Sequence, residues 1–274
     1  MTPYTFSRFV YFDTNIISRL AKNRSLWPQL LGFLEKNDLT LGLGTAQIAE
    51  LADARRLHPS LVALFLNIPT GILKIWDTII AEEVEAHPQR RTQPLLLYPL
   101  NAILLEDDGI QKLYAYLSSE GLSEARQDQL LHAQQMPARH AQLKHNFPPS
   151  KSGKYVRGQS DKFADIQVMQ WLVYDHRDFL EKMQADISQF HPEVFLSIRL
   201  YAYVLFYKYY LGKREPKKLS DFGDLGHLLY IPYCELAVME RDLCNILKQI
   251  RQNHDVLSNT VVKNIDFLSE WDWP

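Results

Sequence analysis

The chain has 274 residues, of which 46% are hydrophobic and 23% are charged, values that are typical of a globular protein and exclude a disordered or fibrous one. Its net charge is −2, so no overall positive field indicates a nucleic-acid partner, and any such binding would depend on a local patch. The two cysteines, Cys234 and Cys244, are too few for a disulfide framework.

The first third of the chain predicts alternating strands and helices. Residues 8–13 predict a buried strand, because they contain a run of β-branched and aromatic residues without polar alternation. Helical spacing of apolar residues follows at 15–35, a second strand at 39–44, a helix at 45–56 and a third strand at 71–76. This alternation predicts an α/β fold, with a parallel sheet covered by helices on both faces.

The middle of the chain shows a different pattern. From about 88 to 220 the periodicity is mostly helical, with two long helices predicted at 161–188 and 193–211. The sheet pattern returns with a strand at 234–240, a helix at 241–251 and a last strand at 261–265. We therefore predict an α/β core of residues 1–86 and 220–274, interrupted by a helical insertion at 87–219.

Residues 146–161 predict an exposed, mobile loop, because they contain two prolines and two glycines. Its basic side chains, with one just beyond it, would contact phosphates, and Tyr155 would stack on a base. These candidate nucleic-acid-binding residues are Lys151, Lys154, Arg157 and Lys162. A solvated loop without a ligand is the alternative interpretation.

Four carboxylates fall near the ends of the predicted strands, where ligands gather in open α/β sheets. Asp13 ends the first strand, Glu50 lies in the helix after the second, Asp224 opens a helix, and Glu240 ends the strand at 234–240. Carboxylates that converge require a counter-charge, which Mg²⁺ or Mn²⁺ would supply. Each residue also has a simpler interpretation, as a helix cap for the two aspartates or as a solvated side chain for the two glutamates.

Three stretches of the chain together resemble the PIN domain family. FVYFDTNIISRL at 9–20 is similar to its opening motif, TAQIAELAD at 45–53 to its second, and DLGHLLYIPYCELAVMERDLCNIL at 224–247 to its third and fourth. The resemblance implies a three-layer α/β/α fold with a central, mainly parallel sheet. It also implies a metal-dependent nuclease, commonly a ribonuclease, which would hydrolyse phosphodiester bonds with an ion-activated water.

The resemblance also assigns roles to particular residues. The catalytic residues would be Asp13, Glu50, Asp224 and Glu240, and the ligands of Mg²⁺ or Mn²⁺ would include Asp13, Asp224 and Glu240. Thr14 and Asn15 would orient the first carboxylate. We expect His227, which is near Asp224 in the sequence, to pack against this site, and Asp161 and Asp165 to be either additional ligands or helix caps.

The chain departs from the family pattern at the last acidic position, where Glu240 follows Met239 instead of an aspartate following a small hydroxyl residue. This keeps open a second interpretation, a catalytically weak PIN-like module that binds nucleic acid or a partner protein. A phosphatase with a nucleophilic aspartate is disfavoured, because Asn15 stands where its acid/base carboxylate would be required.

The expected partner is a nucleic acid, with RNA favoured over single-stranded DNA by the resemblance alone. An inhibitor protein or a second copy of the chain is also compatible with the sequence. The N-terminus lacks the basic region, apolar run and cleavage site of a signal peptide, and no uncharged apolar run reaches the ~18 residues that span a bilayer. We therefore expect a cytoplasmic protein that does not cross a membrane.

Overall fold

The computed structural model describes residues 8–100, 104, 106–184, 186–212 and 224–271. At its centre is one sheet, whose strands are β1 (Phe9–Phe12), β2 (Thr40–Leu43), β3 (Thr70–Leu73), β4 (Leu96–Pro99), β5 (Leu236–Met239) and β6 (Val261–Asn264). Their spatial order is β4-β3-β2-β1-β5-β6. Neighbouring strands are parallel except for β3 and β4, which are antiparallel, so the sheet is mixed but mostly parallel.

Helices surround this sheet. The α-helices are α1 (Thr14–Lys22), α2 (Trp27–Asn37), α3 (Thr45–Asp53), α4 (His58–Asn67), α5 (Trp76–Ala86), α6 (Gly109–Leu117), α7 (Glu120–Asn146), α8 (Ser160–Asp175), α9 (Arg177–Gln184), α10 (Leu196–Leu205), α11 (Arg241–Asn253) and α12 (Phe267–Glu270). A π-helical turn, Phe206–Leu211, continues α10, and a long 3-10 helix, Asp224–Tyr233, precedes β5. None of the helices in the described ranges combines the length and the apolar character needed to cross a bilayer.

The two faces of the sheet are both apolar and both covered. Successive side chains of a strand point to opposite faces, so in β1 Phe9 and Tyr11 belong to one buried cluster and Val10 and Phe12 to another. The first cluster includes residues of α5, α8, α10 and α11, and the second includes residues of α1 to α4, α6 and α12. Helices on both sides of a central sheet are compatible with a three-layer α/β/α fold.

One strand was not predicted from the sequence. β4 lies within the segment 87–219, which we predicted to be a helical insertion, and it pairs with β3 as the outermost strand of the sheet. The run QPLLLYPL lacks strand alternation and contains Pro99, which an edge strand tolerates because one side of it needs no backbone donor. The register shifts at Leu97, which forms a bulge between the pairs Leu73–Leu96 and Ile72–Tyr98. The segment 87–219 therefore contributes a strand to the sheet as well as core helices.

Two predicted helices are divided in the structure. The helical pattern at 15–35 becomes α1 and α2, because Pro28 lies in the first turn of α2, where its missing N–H costs nothing. The pattern at 161–188 becomes α8 and α9, which are separated at His176. After the change of direction, the ring centroids of Phe179 and His87 are 5.1 Å apart, and Leu180 lies in a buried cluster with Ile80 of α5.

Candidate active site

The strand order reverses at β1, which has β2 on one side and β5 on the other. Asp13 directly follows β1, and Glu240 directly follows β5. Because β1 and β5 are parallel, both residues lie at the carboxyl ends of the strands, which we call the acidic edge of the sheet. The backbone N–H of Asp13 donates to the carbonyl of Val238, at 2.9 Å. Such a reversal opens a crevice in which α/β proteins bind ligands.

The first two acidic residues at this edge are joined through Asn15. Asp13 is 8% exposed and caps α1, since its Oδ1 accepts a hydrogen bond of 2.9 Å from the backbone N–H of Asn15. The side-chain amide of Asn15 donates to Oε1 of Glu240. Thr14 lies between Asp13 and Asn15 in the sequence. Its Oγ1 is buried, and the described part of the chain provides no hydrogen-bond partner for it. The residues predicted to orient the first carboxylate therefore do lie beside it.

Glu50 reaches the same region through a buried histidine. Its Oε1 lies 3.4 Å from Nε2 of His227, whose Nδ1 lies 2.8 Å from the hydroxyl of Tyr11. The side chain of His227 is 3% exposed and that of Glu50 is 22% exposed, while Tyr11 in β1 is fully buried. His227 packs against the site as expected, whereas Tyr11 was not predicted to take part in it.

The electrostatics of Tyr11 link the two halves of the site. Burial raises the pKa of its phenol well above the usual value, and Tyr230 and the negative charges of Asp13 and Glu50 raise it further. Both carboxylates therefore act on the same hydroxyl. The edge of the sheet carries a concentration of negative charge that a cation would balance.

A second set of contacts supports the ends of β1 and β2. The Gln47 side chain, fully buried in α3, donates to the carbonyl of Phe12, and its Oε1 accepts from the N–H of Gly44 at 2.6 Å. Tyr230 stacks on Tyr11 with ring centroids 5.5 Å apart, and a Cβ at Gly44 would lie 2.4 Å from the Tyr230 ring. Sequence reasoning missed Gln47, although a glutamine between apolar residues in the first turn of a helix was the available signal.

The basic residues lie near the amino ends of the parallel strands, at the end of the sheet opposite to the acidic edge. α11 begins next to Glu240 and runs for 13 residues, about 20 Å, before it ends at His254. Nδ1 of His254 lies 3.1 Å from Oδ1 of Asp161, at the start of α8, and Ser160 Oγ lies 3.4 Å from Nε2 of the same ring. Lys162 follows Asp161 directly, and the other exposed basic side chains lie within the ten residues before it: Lys151, Lys154 and Arg157. The structure therefore does not bring them together with Asp13.

Asp161 and Asp165 are structural residues at that distant edge. The buried guanidinium of Arg199 in α10 forms ion pairs with both carboxylates. Asp161 also accepts a hydrogen bond of 2.6 Å from the hydroxyl of Tyr203. Neither residue reaches the cluster around Asp13, so neither is an additional ligand there.

The described residues provide part of an oxygen-ligand set. Asp13, Glu50 and Glu240 carry the carboxylate oxygens that hard divalent cations prefer. Within the described ranges, no group of three or more His, Cys, Asp or Glu side chains is close enough to hold a metal ion. Asp224 begins the 3-10 helix one turn before His227, and its side chain lies outside the described atoms.

Comparison of the chain with family models, with curated proteins and with solved structures gives no match. Function is therefore inferred from the residues and from their geometry.

Proposed function

We propose that the protein is a PIN-like, metal-dependent nuclease, and a ribonuclease by its resemblance to that family. The main support is that Asn15 hydrogen-bonds both Asp13 and Glu240, which follow β1 and β5 at the point where the strand order reverses. Glu50, in the helix that follows β2, adds a third carboxylate to this edge. Carboxylates near the carboxyl ends of these strands are the kind of ligand that would hold a divalent cation and, through it, a phosphodiester.

The chain's own residues prepare the carboxylates for this role. The backbone N–H of Asn15 fixes Asp13, and its side-chain amide fixes Glu240. Together with Glu50 and, by the resemblance, Asp224, these residues would hold Mg²⁺ or Mn²⁺. The bound ion would polarise a phosphoryl oxygen and lower the pKa of a bound water. Because Asp13 is almost completely buried, its attraction for a cation is stronger than it would be in water.

The placement of the basic residues limits how a substrate would lie. A nucleic acid that contacted Lys151 or Arg157 and was cut at Asp13 would have to extend along the length of α11, about 20 Å. The basic loop would therefore hold the substrate by its phosphates at a distance from the cut, without taking part in the reaction.

A second candidate function is a PIN-like module that binds nucleic acid without cleaving it. Two observations favour it: Glu240 follows Met239 where the family pattern has an aspartate after a small hydroxyl residue, and the described side chains do not form a group of three metal ligands. In this case the basic loop would bind the nucleic acid, and the acidic residues would not support cleavage.

Cleavage assays with labelled substrates distinguish the two candidates. Purified protein is incubated with Mn²⁺ or Mg²⁺ and with end-labelled RNA and single-stranded DNA of mixed sequence. We expect cleavage of RNA that depends on the ion, and we expect Asp13→Asn to reduce it at least about 100-fold, since even residues that only orient metal ligands often contribute 10–100-fold.

The matched control is Glu35→Gln, which also removes one negative charge. Glu35 is exposed in the last turn of α2, just before β2 begins, and thus at the edge opposite to Asp13. Glu35→Gln should cleave RNA at the same rate as the wild type. Retention of RNA by a wild-type protein that cuts nothing with either ion would establish the binding module instead.

A further inference from the structure

Three polar side chains form a row of hydrogen-bonding groups from the interior of the sheet to the acidic edge. Tyr11 in β1 is fully buried, His227 in the 3-10 helix is 3% exposed, and Glu50 in α3 is 22% exposed. The Tyr11 hydroxyl is 2.8 Å from Nδ1 of His227, and the opposite ring nitrogen is 3.4 Å from Oε1 of Glu50. Three separate elements of the fold therefore meet in one line of hydrogen-bonding groups.

This geometry selects one tautomer of the imidazole. A phenol keeps its proton at neutral pH, and among the described residues Nδ1 of His227 is the hydrogen-bond partner of the Tyr11 hydroxyl. If the hydroxyl donates, Nδ1 is the acceptor, and the proton of the neutral ring is on Nε2. Tyr230, which stacks on Tyr11 at 5.5 Å, restrains the phenol in the position required.

We infer that Tyr11 and His227 are positioning residues for Glu50: the Tyr11 hydroxyl holds the imidazole in the Nε2–H tautomer, and Nε2–H donates to the Glu50 carboxylate. Without Tyr11 the ring could present a bare Nε2, whose lone pair would repel the carboxylate oxygen. Because Tyr11 is two residues before Asp13 in the chain, β1 would determine the position of both acidic groups.

The consequence for ion binding rests on the proposed function, whereas the tautomer does not. A carboxylate with a fixed orientation binds a cation more tightly than a mobile one, and partners that orient ligands commonly change metal affinity 10–100-fold. His227 in this arrangement donates to Glu50 and is not itself a ligand.

The tautomer is tested by ¹⁵N NMR on the full chain with labelled histidine, without metal and at about pH 8, where an ordinary histidine is neutral. His227→Gln assigns the resonances of the ring. We expect a protonated Nε2 and a bare Nδ1 in the wild type, and a loss of this preference in Tyr11→Phe. A bare Nε2, or a ring protonated on both nitrogens, overturns the inference.

The role toward Glu50 is tested by titration with Mn²⁺, with the free ion measured by electron paramagnetic resonance. We expect His227→Leu to weaken binding 10–100-fold, and His227→Gln, whose amide can donate from the position of Nε2, to restore it. The control is His58→Leu, which removes another buried histidine, whose Nε2 lies 3.0 Å from the carbonyl oxygen of Ala52 and for which the described residues show no carboxylate partner. Circular dichroism verifies the fold of each variant.

The two arms separate failure of this inference from failure of the proposed function. A wild-type protein that does not bind Mn²⁺ contradicts the proposed ion chemistry, and the NMR result then decides the positioning role alone. Equal Mn²⁺ affinity of the wild type and His227→Leu, in a protein that does bind the ion, overturns the positioning role.

Discussion

Replacing Glu83 by glutamine should remove a large part of the pH dependence of the protein's stability. Glu83 in α5 is fully buried; its Oε1 accepts hydrogen bonds from the hydroxyl of Tyr233 and, at 2.9 Å, from the N–H of Ser197. Its Oε2 is buried without a hydrogen-bond partner among the described residues. Burial raises the pKa of this carboxyl to about 7, although the hydrogen bonds from Tyr233 and Ser197 and the charge of Arg91 oppose the rise.

The size of the effect follows from this pKa. In the native state the carboxyl binds its proton more tightly than in the unfolded chain, where the pKa is 4.5. The free energy of unfolding therefore falls as the pH rises from 4.5 through about 7. At ~1.36 kcal/mol for each pKa unit, the loss is about 3 kcal/mol. A glutamine keeps the acceptor oxygen and cannot ionise, so it avoids this loss.

The assay is urea denaturation followed by circular dichroism, for the wild type and Glu83→Gln, on either side of the titration at pH values of about 5 and 8. We expect the difference in unfolding free energy between the two proteins to change by about 2–3 kcal/mol in favour of the variant, since part of the loss has already occurred at about pH 5. Glu85→Gln, which removes an exposed carboxyl from the same helix, is the control for net charge and should follow the wild type. A constant difference between the wild type and Glu83→Gln at the two pH values would refute the reasoning.

Three further predictions concern packing at two glycines and a buried ion pair. Gly44→Ala should destabilise the protein by about 1–3 kcal/mol, because the new Cβ would lie 2.4 Å from the Tyr230 ring. Gly32→Ala, at an exposed helical position with open space around the added Cβ, should stabilise it by about 0.5–1 kcal/mol. A raised thermal midpoint of Gly44→Ala would contradict the first prediction, and a lowered midpoint of Gly32→Ala would contradict the second. Arg199→Leu should cost about 1–2 kcal/mol, less than for a fully buried pair because its partner Asp165 is 44% exposed. The loss of unfolding free energy, measured by denaturation, should be smaller at high salt. A loss that does not change with salt would show that Arg199 stabilises the protein by packing and not by its charge.

The strands that could be predicted are those in which the local pattern and the tertiary environment agree. β1 and β5 are short apolar runs that are buried on both faces, so their continuous hydrophobicity is a direct signal of their position in a parallel sheet. β4 gave no such signal, because an antiparallel edge strand with a bulge at Leu97 needs neither alternation nor complete burial. Its place in the sheet depends on pairing with β3, which the local sequence does not encode.

The candidate site was predictable only in part, for a similar reason. Asp13 and Glu240 follow predicted strands, so their meeting could be expected from the parallel sheet. The contact between Glu50 and His227 joins residues that are 177 positions apart. The distance of Arg157 from Asp13 depends on the direction in which α11 crosses the sheet. Both relations are properties of the assembled tertiary structure and leave no mark in a local pattern.

The bulge at Leu97 and the proline at the end of β4 also bear on how the protein behaves in concentrated solution. An outer strand exposes backbone groups that can capture a strand of another molecule, and Leu97, which is 56% exposed, would add apolar contacts to such a union. Pro99 lacks one of the donors that this capture needs, and the bulge twists the remaining groups out of line. The bulge and Pro99, which made β4 difficult to predict from the sequence, therefore also oppose aggregation through pairing of this outer strand with another molecule.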